Sequence, residues 1–166
     1  MQVVNMVLGL NGVQQQKTIV RIGEDIMKLE PTEKYDLVLC WGVLHHLKST
    51  SEGFAKVASQ VKPDGFLQIM VYHKDTQAVY ELGRRMWQGM TEDEKLAYCE
   101  KFVTEKGGTI HGWWDAFNPD YNHSFHHNEI RQWFEKAGFK DIRLIKKYNI
   151  NMIGRKATRS RGLSPR

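Results

Sequence analysis

The sequence predicts an α/β domain built on a mostly parallel sheet. Three observations predict it. Leu37 to Trp41 is a near-continuous apolar run, the pattern of a strand buried on both faces. Strand-like and helix-like segments alternate with short connections. The chain has 166 residues, of which 41% are hydrophobic and 26% charged, which suits one soluble domain with a real core.

The elements follow in order. Val3, Val4, Val7 and Leu8 share one helical face, and Gly9 with Asn11-Gly12 ends that segment. Thr18 to Ile22 (TIVRI) is alternating and β-branched, so it reads as a strand, with Glu24-Asp25 after it. Phe54, Val57, Ala58 and Val61 repeat at i, i+3, i+4, i+7 and predict a helix, which Lys62-Pro63-Asp64-Gly65 stops. Phe66 to Tyr72 is the next strand. Val79, Leu82, Met86 and Trp87 predict one helix face. Thr91 to Glu94 (TEDE) has the form of a capping box before Leu96, Cys99 and Val103, and Gly107-Gly108 closes that helix. HGWWDAFNPDYNHSFHH is aromatic and His-rich without a clear period, and reads as an ordered loop. Ile130, Trp133, Phe134 and Ala137 give a last helix, with Glu129 in its first turn and Gly138 just past its end. Two strands close the chain, near Ile142 to Lys146 and Ile150 to Gly154.

Composition excludes several classes. No apolar run approaches the roughly 20 residues of a membrane span. MQVVNMVLGLNG lacks the basic flank and cleavage site of a signal peptide. Cys40 and Cys99 do not suggest a disulfide framework, so a cytoplasmic location is expected. The net charge of +5 is local: the last twelve residues hold Arg155, Lys156, Arg159, Arg161 and Arg166, and removing those five from 24 basic residues leaves 19 against 19 acidic ones. Residues 157–166 are expected to be a disordered basic tail rather than a nucleic-acid-binding face.

Parallel sheets bind ligands at the carboxyl ends of their strands. His45 and His46 follow such an end directly. GEDIMKL, YDLVLCWGVLHHL, an amphipathic helix, VKPDGFLQIMVYH and HNEIRQWFEKAGFKDIRLI then come in an order that resembles class I S-adenosylmethionine-dependent methyltransferases of the small-molecule type. The resemblance runs from about Val3 to Arg155. It implies a Rossmann-like methyltransferase sheet over residues 1–156, with a helical and aromatic lid inserted at about 73–127. It also departs from the family. A glycine-rich loop and a second acid for the ribose hydroxyls have no counterpart, so an N-terminally truncated domain is expected. Such a chain is expected to bind S-adenosylmethionine weakly or not at all and to be inactive alone.

By the resemblance, Asp25 accepts a hydrogen bond from the adenine amino group, Ile26 packs on the adenine, and the backbone at Trp41 and Gly42 passes the cofactor's reactive end. The Trp41 ring could face the sulfonium, a cation–π contact of about 0.5–2 kcal/mol. Asp25 could instead cap a helix, and Trp41 could be core. His45 or His46 is the candidate general base, the imidazole pKa lying near neutrality; the other could brace the adjoining loop. Trp114, Tyr121 and His123 are candidates for the acceptor side, with Trp113, Phe117 and Phe125 as lid aromatics. Those aromatics could equally pack the inserted helices onto the sheet. His111, Asp115, His123, His126 and His127 match no zinc spacing, so no metal is expected. The expected partner is a small-molecule acceptor, with a protein partner or second copy covering the open sheet edge. The rival readings are a non-catalytic binding or scaffold subunit on the same fold, and a nucleic-acid adaptor.

Overall fold

The computed structural model describes residues 25–30, 34–146 and 148–158. The elements expected at Val3–Leu8 and Thr18–Ile22, and the tail from residue 159, lie outside them. Among the described residues the order is a 3₁₀ turn (Ile26–Lys28), β1 (Tyr35–Trp41), a second 3₁₀ turn (Leu44–His46), α1 (Thr50–Ser59), β2 (Val61–Val71), α2 (Lys74–Trp87), α3 (Glu92–Lys106), α4 (Ile110–Phe117), α5 (His127–Lys136), β3 (Phe139–Lys146) and β4 (Ile150–Lys156). The four-stranded sheet has the order β1-β2-β4-β3. β1 and β2 are parallel, and β4 is antiparallel to both β2 and β3. The two closing strands therefore pair as the sequence suggests. The pairing expected between Thr18–Ile22 and β1 lies outside the described residues.

The main core is aliphatic with a few rings. Leu67, Ile69 and Val71 of β2 are fully buried, as are Ile130 and Phe134 of α5 and Ile150 of β4. Alternate residues of β2 point to one packed face, as period-2 geometry dictates. α5 lies close on β4: a Cβ at Gly154 would come within 2.7 Å of the Phe134 ring.

Three expectations are corrected. Lys62-Pro63-Asp64-Gly65 does not separate α1 from the next strand; it is a bulge inside β2, which starts at Val61. Tyr35 pairs with Val61 and Leu37 with Phe66, so the extra residues loop out while pairing continues on both sides. Asp64 sits at φ 61° in this bulge and accepts from Arg155 Nη1 at 2.8 Å. The second correction is α4. HGWWDAF is helical, N-capped by the Thr109 hydroxyl, which accepts from the Gly112 N–H at 3.1 Å. The third is the face of α2. Leu82 and Met86 are exposed, at 68% and 50%, while Gln77 and Trp87 are buried.

α2, α3 and α4 form a second, smaller core around Trp87, Cys99 and Phe117, with Tyr98, Phe102, Trp113 and Trp114 packed against it. The capping box is present: Thr91 Oγ1 accepts from Glu94 N, and Glu94 Oε2 accepts from Thr91 N at 2.7 Å. Gly107 ends α3 at φ 77°. Arg155 and Lys156, counted with the tail in the sequence, belong to β4. Ala157 N–H donates to Gly138 O at 2.9 Å, and Thr158 bonds Asp64.

Candidate functional site

The carboxyl ends of β1 and β2 lie side by side because the strands are parallel, with Trp41 opposite Met70. Past β1 the chain turns at Gly42, whose φ of 74° suits a residue without Cβ, and its N–H still donates to Met70 O at 3.2 Å. The 3₁₀ turn Leu44–His46 then sets both imidazoles at the strand ends. Past β2, Tyr72 and His73 lead into α2. The segment before α5 is stitched to the same end: Phe125 N–H donates to Tyr72 O at 3.0 Å, and Lys74 N–H to Phe125 O at 3.1 Å. This segment is a strap bonded to the sheet's end.

The two histidines differ sharply. His45 is fully buried, and among the described residues neither ring nitrogen has a hydrogen-bond partner. Its ring lies 3.7 Å from that of Tyr72 and 4.1 Å from that of His46. Burial, then the neighbouring His46, Arg84 and His123, push its pKa from 6.5 down to about 2. At neutral pH it holds no ring charge and is a very weak base.

His46 is less enclosed. Its Nδ1 lies 2.9 Å from Tyr121 O. A carbonyl only accepts, so Nδ1 carries the proton and Nε2 is the basic nitrogen. Burial lowers the His46 pKa, and the bond to Tyr121 opposes that. Beside it, burial raises the Tyr72 hydroxyl pKa and lowers that of Arg84. Arg84 is held in place by its Nε–H donating to Ala116 O at 2.9 Å and by Gln77.

The structure thus brings four of the expected residues together. Tyr121 supplies the carbonyl to His46 and its ring stacks on His123 at 5.9 Å. His123 N–H donates to His45 O at 2.9 Å. Trp114 lies elsewhere, edge-to-face on Trp87 at 5.0 Å in the helical core. Tyr72 and Arg84 were missed. Tyr72 was legible as the last residue of the FLQIMVY strand, by the same rule that singled out the histidines. Arg84 lies on a helix and carried no signal.

The cofactor-side residues divide as well. Asp25 caps the first 3₁₀ turn, its Oδ1 accepting from Met27 N at 2.9 Å. A carboxylate has about four acceptor sites, so capping leaves capacity for a ligand's donor. Ile26 is 2% exposed and packed in the main core. Trp41 is 49% exposed, so its ring is a surface at the strand end rather than core. The exposed Trp41 face, the Gly42 turn and the spare acceptor capacity of Asp25 fit the sulfonium and adenine sides of S-adenosylmethionine. Among the described residues no helix is long and apolar enough to cross a membrane.

A model of a methyltransferase domain matches residues 6–144. An uncharacterised protein of Synechococcus sp. is 34% identical over 79 residues, which cover 48% of this chain and 17% of that protein. A possible exported protein from Bordetella parapertussis shares the fold at 19% identity and a TM-score of 0.52, over 81% of this chain and 43% of that one. Human N-acetylserotonin methyltransferase, solved with its SAM, aligns at 16% identity and a TM-score of 0.46 over 81% of this chain and 33% of that one, too distant to carry an argument. The chain spans less than half the length of each protein it matches here.

Proposed function

This chain belongs to the methyltransferase domain family, and we propose that it serves methyl transfer from S-adenosylmethionine to a small-molecule acceptor, with His46 as the general base. The cofactor supplies a methyl group already activated on a sulfonium sulfur. What remains for the protein is to position the acceptor and to take a proton from it. Asp25 and Trp41 would hold the cofactor's adenine and sulfonium sides, and Gly42 would let the backbone approach.

The observation that carries the assignment is the His46–Tyr121 bond. It orients the imidazole and fixes the tautomer with Nε2 as the proton acceptor. His45, buried and neutral, braces the turn through its tilted ring contact with Tyr72. Arg84 beside the site would favour the acceptor's deprotonated form by its charge. Tyr72 offers a hydroxyl held protonated at neutral pH, and so a donor.

The test is transfer of labelled methyl from S-adenosylmethionine to a panel of hydroxyl- and amine-bearing acceptors, with cofactor binding measured separately by calorimetry. The reading expects saturable binding, weak and on the order of millimolar for the 166-residue chain, that falls further in Asp25→Ala. It expects any transfer by the 166-residue chain alone to be slow, and His46→Gln to keep the binding and lose about 10²–10⁴ of that rate. Absence of any cofactor binding, or a His46→Gln protein of undiminished rate, would overturn it.

A further inference from the structure

At the N-terminus of α1 the chain reads Lys48-Ser49-Thr50-Ser51. This turn lines an open depression of about 250 Å³ together with His123, Phe125 and Trp133. α1 has ten residues, and its N-cap Ser49 makes no side-chain bond to the first turn. A helix start in that condition presents backbone N–H groups and the positive end of the helix dipole. The second observation is independent. Thr50 is 5% exposed, and its buried hydroxyl has no hydrogen-bond partner. His123, which lines the same depression, has its Nε2 likewise buried without one. A buried polar group left unpartnered is costly, and such groups are rare.

We propose that this depression binds an anionic oxygen group, a carboxylate or a phosphate, carried by an acceptor with an organic body. The helix N–H groups, the Thr50 hydroxyl and the Lys48 ammonium are donors that an anionic oxygen group satisfies together, with the positive end of the helix favouring its charge. Phe125 and Trp133 meet edge-to-face at 5.0 Å and supply the apolar wall. The volume is below the roughly 300–1,000 Å³ of a whole-ligand pocket, which suits a head group rather than an entire molecule. Among the described residues that line or flank the depression, the opposing charge is Glu52, exposed in the first turn of α1. The site borders the imidazole pair through His123, whose N–H is bonded to His45 O. That the anion belongs to the methyl acceptor rests on the methyl-transfer reading; the anion site itself does not.

Titrating the ¹⁵N-labelled 166-residue chain with inorganic phosphate and, separately, with acetate tests it. The Ser51 and Glu52 amides should shift saturably, and the tighter probe names the head group. Thr50→Val removes the hydroxyl at nearly constant shape. It should weaken binding at least about tenfold, the loss of one hydrogen bond to a charged group. It should also raise the melting temperature by about 2–4 °C, because the unpartnered hydroxyl is gone. Glu52→Gln, at an exposed position, should tighten binding about two- to fivefold. No amide shift with either probe, or a Thr50→Val protein that binds as well as the parent, overturns the proposal. S-adenosylmethionine binding on the same samples separates the two readings. Cofactor binding without anion binding sinks this site alone, and anion binding without cofactor binding sinks methyl transfer alone.

Discussion

The sheet core and the helical core of this chain are built by different rules. In the first, Leu67, Ile69, Val71, Ile130 and Ile150 are fully buried aliphatic side chains at the spacing of strands and one helix. In the second, rings dominate: Phe117 meets Tyr98 at 5.4 Å, Phe102 at 5.2 Å and Trp87 at 5.6 Å. Rings are large enough for a few to fill the space between three short helices, so regular periodicity is not required. The same helices leave Leu82, Met86 and Leu96 exposed. The sheet core leaves continuous apolar runs in the sequence, whereas the ring core leaves only isolated i, i+4 pairs, Tyr98 with Phe102 and Trp113 with Phe117.

That contrast can be broken at its largest effect first. Phe134→Ala, in the sheet core under Gly154, should cost about 3–5 kcal/mol and lower global stability in urea. Phe117→Ala carries a similar local cost, but hydrogen exchange should find the loss of protection confined to α2, α3 and α4. Uniform loss across the sheet would show that the two cores are one cooperative unit. Gly83→Val sharpens the point. A Cβ there would come within 2.9 Å of Phe117 Cε1, so α2 and α4 must part, again without exposing β2.

The next effect is on pH. His45 is neutral in the fold, whereas an unfolded imidazole takes up a proton below about 6.5. The unfolded state binds more protons there, so stability is fully present above that pH and lost as pH falls below it. One such ring contributes about 1.4 kcal/mol per pH unit. Urea midpoints between pH 7.5 and 5.0 should show the fall, and His45→Phe should flatten it. The smallest effect is at Thr91. Thr91→Ala removes the capping hydroxyl of α3 and should cost about 1 kcal/mol, felt in the helical core alone.

The sheet was legible because Leu37 to Trp41 is a continuous apolar run, although in the structure Val38 and Cys40 are buried while Leu37 and Leu39 are half-buried and Trp41 is exposed. The cap at Thr91–Glu94 and the stop at Gly107 were legible because they are local chemistry. α4 was not, since Gly112 and adjacent tryptophans mask the Trp113–Phe117 spacing that places two rings on one face. The bulge at Asp64 read as a stop because a Pro-Asp-Gly run serves both purposes, and Arg155, which holds it, is distant in sequence. The choice of His45 and His46 followed from one rule about strand ends, whereas Tyr72, which obeys the same rule, was not read from it. The assignment of roles to His45 and His46 did not, because it depends on the Tyr121 carbonyl, 75 residues away from His46.

The division of labour between those two rings is measured most directly by long-range ¹H–¹⁵N correlation of the imidazole nitrogens across a pH titration of the folded chain. The account predicts His46 as the Nδ1–H tautomer, its Nε2 taking up the proton as pH falls. It predicts a His45 ring that stays neutral for as long as the protein remains folded. A His46 protonated at Nε2 in its neutral form, or a His45 that titrates near pH 6.5 without unfolding, would contradict it.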